Sequence, residues 1–85
     1  MKLLLTVEER LQVQYILPVQ GNIKTLELAE NILKKVQIKE ADSGEKEFEF
    51  DDHETEFMRL MISVLDGANK LHLSSLSLVR KILTN

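Results

Sequence analysis

The chain of 85 residues contains no cysteine, which removes disulfides, thiolate metal sites and cysteine nucleophiles. It has only three glycines and one proline, too few for a fibrous or low-complexity chain. No phosphate loop, Walker pattern or dinucleotide fingerprint can be assembled from those glycines. No apolar run approaches the roughly 18 residues that a membrane span requires. What is present is a globular mixture, 44% hydrophobic and 29% charged, of a length that predicts one domain over residues 1–85.

A domain of this size buries about 60–65% of its unfolded surface, and its net stability is of the order of 3–5 kcal/mol. Small domains often compensate with disulfides, a metal or a partner chain. The first are absent and the second has poor ligands, so a partner chain is favoured. A core this thin leaves little room for a ligand cavity of the usual ~300–1,000 Å³, which disfavours a small-molecule substrate. The start Met1-Lys2-Leu3-Leu4-Leu5 imitates a signal peptide, but Glu8, Glu9 and Arg10 interrupt it before an h-region forms. The expected location is the cytoplasm, with no membrane partner.

The net charge of −3 hides a polarised distribution. Nine of the fourteen acids fall between Lys39 and Glu56, against two lysines, so this segment carries −7; the other nine bases and five acids leave +4 elsewhere. Nucleic-acid affinity derives largely from phosphate neutralisation by a basic face, and this balance argues against it.

Periodicity predicts a mainly α fold: a small four-helix domain with one short strand or β-arm between helices 2 and 3. Thr6-Val7-Glu8-Glu9 fits a capping box, followed by a helix with Val7, Leu11 and Tyr15 on one stripe, Ile16 and Leu17 beside it, ending before Pro18. Residues 18–22 read as a turn. Thr25 can cap a second helix, with Leu26, Ala29, Ile32, Leu33 and Val36 on its apolar side and Lys34 and Lys35 suiting its C-terminal end. It ends near Val36 or Gln37. Ala41-Asp42-Ser43-Gly44 reads as a loop.

Glu45 to Phe50 alternates charged and apolar residues, the period of a half-buried strand. No convincing partner strand is visible. Ile38 lies in the only nearby candidate segment, so the strand is expected at an edge, its acids guarding against aggregation. Asp51 or Asp52 can cap the third helix, which ends near Gly67 or Asn69. Ser74-Ser75 offers a cap for a short fourth helix carrying Leu76, Val79, Ile82 and Leu83, with Arg80 and Lys81 outside.

Catalytic and metal chemistry find little support. His53 lies in Asp51-Asp52-His53-Glu54-Thr55-Glu56, but adjacent positions on a helix start splay apart, unlike the spaced ligands of a zinc site. The segment reads as a solvated helix start. After Asp42 the glycine comes too early for an EF-hand. His72 beside Ser74 and Ser75 is local adjacency, not a triad. The sequence therefore predicts no enzyme activity, no catalytic residues, no metal and no cofactor.

The third helix is the most informative feature. Phe57, Met58, Leu60, Met61, Ile62, Val64, Leu65 and Ala68 cover an arc of roughly 200°, where a surface helix needs little over ~100°. A central helix buried by the other three explains this, and so does a helix whose flank meets another chain. The second reading predicts a protein partner or a homo-oligomer, a dimer foremost. Phe57, Met58, Met61 and Ile62 would make apolar contact, with Glu45, Glu47, Glu49 and Asp51 selecting the partner. The alternative is a winged helix-turn-helix DNA-binding regulator, suggested by Leu26-Glu27-Leu28-Ala29-Glu30 after a Gly-Asn turn with a strand beyond. The acidic start of the next helix would repel phosphates in that reading.

Several short pieces taken together resemble a family of small uncharacterised proteins of tailed phages and prophages of Gram-positive bacteria. These are Leu5-Thr6-Val7-Glu8-Glu9-Arg10-Leu11, Ile16-Leu17-Pro18, Gly21-Asn22, Thr25-Leu26, Leu65-Asp66, Lys70-Leu71, Leu73 and Leu76-Ser77-Leu78. The chain departs from that pattern at Val79, where the family carries an aromatic, and in a shorter middle segment. The resemblance implies an accessory protein that binds a host or phage protein. It transfers no catalytic or binding residue.

Overall fold

The computed structural model describes residues 1–39 and 43–85. The elements run β1 (Lys2–Leu5), α1 (Val7–Ile16), α2 (Ile23–Val36), β2 (Lys46–Glu49), α3 (Asp52–Gly67), a 3₁₀ turn over Leu73–Ser75, and α4 (Leu76–Thr84). The fold is mainly α, with four helices and a strand between the second and third, as the periodicity predicts. Glu40, Ala41 and Asp42 lie outside the described residues, and with them part of the expected loop 41–44 and two acids of the charged segment. Gly44 takes a left-handed conformation, φ 70°, which strains residues carrying a Cβ.

The strand expected to stand alone has a partner in the chain. β1 and β2 pair antiparallel, with Leu3 opposite Phe48 and Leu5 opposite Lys46. Met1 and Phe50 prolong the ladder by exchanging two bonds of 2.8 Å. The opening leucines, which imitate a truncated signal sequence, form this strand: Leu3 and Leu5 face inward and Leu4 outward, the alternation of a half-buried strand. Ile38 belongs to neither strand. The outer edge of β1 is closed by α4, where Asn85 Nδ2 donates to the Lys2 carbonyl at 2.8 Å and Lys81 Nζ to the Leu4 carbonyl at 2.7 Å.

Both helices that follow a strand begin with a capping box. Thr6 accepts from the Glu9 N–H while Glu9 accepts from the Thr6 N–H. Asp51 and Glu54 make the same exchange at the start of α3. Both glutamates are buried, and each also holds a lysine at 2.6 Å, Glu9 with Lys81 and Glu54 with Lys35. Lys81 therefore does not lie outside, as its position in the pattern suggests.

Two arginines complete the opposite helix ends. Arg10 Nε donates to the Val36 carbonyl at 3.0 Å and Nη2 to the Gln37 carbonyl, with the guanidinium 5.0 Å from the Phe48 ring centre. Arg59 donates to the Ile82 and Asn85 carbonyls at the end of α4.

Three helix faces are rotated from the predicted stripes. Val13, Ile16 and Leu17 line the core from α1 and its end, leaving Leu11 and Tyr15 half exposed. Ala29, Ile32 and Val36 are buried on α2, whereas Leu26 and Leu33 are not. On α4 the buried set is Leu78, Val79 and Ile82. Asn22, rather than Thr25, caps α2. Ser75 stands at the N-cap of α4, but its side chain makes no capping bond; the Ser74 and Ser75 hydroxyls both donate to Gln12 Oε1, at 3.1 and 3.2 Å, which fastens the 3₁₀ turn to α1.

Burial alone would raise the Glu9 carboxyl. The Lys81 hydrogen bond, those from the Thr6 N–H and the Ser77 hydroxyl, and the charge on Lys81 outweigh it and hold Glu9 below its ordinary value of 4.5. A depressed native value means that the ion pair stabilises the fold above the unfolded value and that this contribution is lost as pH falls through the native one. Urea melts from about pH 6 down to about pH 3 should therefore show a loss below 4.5 that Glu9→Gln flattens. The strand assignment predicts that Leu5→Ala costs about 2–4 kcal/mol, while Leu4→Ala stays within about 0.5 kcal/mol. Thr55 Oγ1 is buried with no hydrogen-bond partner among the described residues, so Thr55→Val should be neutral or stabilise by up to about 1 kcal/mol in the same melts.

Candidate functional site

The apolar arc of α3 is divided lengthwise. Met58 and Ile62, 1% and 2% exposed, are sealed in the core with Phe50, Ile32 and Ile82 in the same cluster. Phe57, Met61 and Leu65 are half-buried. Leu60 and Val64 each remain 57% exposed, with Ala68 exposed one turn beyond. At 100° per residue, Leu60, Val64, Phe57, Ala68 and Met61 occupy one continuous side of the helix and Met58, Ile62 and Leu65 the next.

This division corrects two of the four apolar contact residues. Met58 and Ile62 face α3's own protomer because α1 and α4 pack on that side, and a second chain cannot reach them without unfolding the bundle. Phe57 and Met61 sit at the boundary. Leu60 and Val64, also in the apolar arc, lie on its exposed side. A helical wheel shows the width of an arc; it does not show which half the neighbouring helices cover.

The flank is framed by its helix ends. Its N-terminal end carries the Asp51–Glu54 capping box and the exposed Asp52, His53 and Glu56. Its C-terminal end closes in a Schellman motif: Asn69 takes φ 57°, its N–H donates to the Asp66 carbonyl at 3.1 Å, and the Lys70 N–H donates to the Leu65 carbonyl at 2.8 Å. Lys70 is the first cation past the last turn, which itself holds no base.

The four acids expected to select a partner are not gathered on this flank. Glu47 and Glu49 lie on the outer face of the two-stranded sheet, opposite Leu4 and Lys2. Glu45 lines a shallow cleft with Thr6, Val7, Glu8 and Gly44. Asp51 is exposed, but its side chain is engaged as the α3 cap.

Elsewhere the surface holds a cleft of about 400 Å³ between α3 and α4 lined by Ile62, Leu71, Val79 and Leu83, together with Arg59 and Arg80. It lies at the surface and not within the core. His53 is exposed, and His72 rests against the Tyr15 ring at 5.2 Å. Among the described residues no group of three histidines or carboxylates is placed to hold a metal ion. No helix there is long and apolar enough to cross a membrane. No protein-family model, curated protein or solved structure matches the chain.

The division of the arc predicts opposite responses on one helix. Met58→Ala should lower the stability of the protein by about 2–5 kcal/mol in denaturant melts, whereas Leu60→Ala and Val64→Ala, each removing a largely solvated side chain, should change it by no more than about 0.5 kcal/mol under dilute conditions.

Proposed function

We propose that this chain is a small accessory protein that acts by binding another protein chain, with the outer flank of α3 as its contact surface. One observation carries the reading: Leu60 and Val64 stand more than half exposed in an apolar stripe that continues through Phe57 and Met61. Scattered apolar residues on a surface are ordinary, but a contiguous stripe on a rigid helix is a characteristic protein-binding surface. Self-association as a dimer and docking on a host or phage protein both use this face. The phage and prophage resemblance supplies the setting, a bacterial cytoplasm in which such proteins act on partners and not on small-molecule substrates.

Charge supports a protein partner over the winged-helix reading. The exposed sheet face bears Glu47 and Glu49, and Lys34 on α2 is paired with Glu30 at 3.1 Å, so neither surface presents the basic track that phosphates require. The strand after α2 pairs with the N-terminus and forms no wing hairpin.

Affinity capture from a Gram-positive host lysate, read by mass spectrometry, tests the reading. A specific protein should be retained by the wild-type chain and lost with Leu60→Glu/Val64→Glu, yet survive Glu47→Lys. Retention unaffected by the α3 changes, or a salt-sensitive shift of duplex DNA by the pure protein, would contradict it.

A further inference from the structure

We draw no further inference here: the strongest candidate, the cleft of about 400 Å³ between α3 and α4, carries nothing, because its lining includes Asp66 as well as Arg59 and Arg80, Arg59 is already bonded to the Ile82 and Asn85 carbonyls, so its charge selects no occupant, and nothing in the structure shows what covers it.

Discussion

The pairing of residues 2–5 with residues 46–49 is the constraint on which the rest of the structure depends. It joins segments more than forty positions apart and places Leu3, Leu5, Phe48 and Phe50 in one buried layer. The residue after β1 is the Thr6 cap, and the cap of α3 follows β2 by one residue. Two of the three longest helices therefore start from the ends of one small ladder. Each start is secured by a glutamate that satisfies a backbone N–H and neutralises a lysine from another helix: Lys81 of α4 at α1, and Lys35 of α2 at α3. A buried carboxylate is costly when left unpaired; here each is paired twice over, and in doing so ties separate elements together.

The open face of α3 follows from the same geometry. Helix α1 is the common neighbour of α2, α3 and α4, and Arg10 fixes the end of α2 to it through two carbonyls. The lysine that links α2 to α3 acts only at the first turn of α3. Helix α4 covers the side of α3 marked by Ile62 and Arg59. The quarter of the helix carrying Leu60 and Val64 is left to solvent, though it is as apolar as the quarter in the core.

Local chemistry was legible in the sequence where a short motif dictates it. The Thr6 capping box, the cap at Asp51, the stop before Pro18 and the alternation at residues 45–50 all stand where periodicity and side-chain chemistry place them. Long-range pairing was not legible. Nothing within the opening leucines indicates which strand they meet, and a short apolar stripe does not say which side of its helix the neighbours will cover. On α1 the buried Val13, Ile16 and Leu17 lie nearly opposite Leu11 and Tyr15, which stay half exposed. The four residues expected to make apolar contact divide for the same reason: Met58 and Ile62 are buried in the core while Phe57 and Met61 are half-buried, and only tertiary packing reveals it.

The central claim is that the apolar arc of α3 is shared between its own core and a second chain. Nuclear Overhauser spectroscopy on the isotope-labelled chain bound to the unlabelled protein it captures, filtered for contacts between molecules, addresses it at the level of single side chains. The account predicts intermolecular cross-peaks to Leu60 and Val64, with none to Met58 or Ile62. A complex with no intermolecular cross-peaks on α3, in which Leu60 and Val64 contact only solvent, would contradict it.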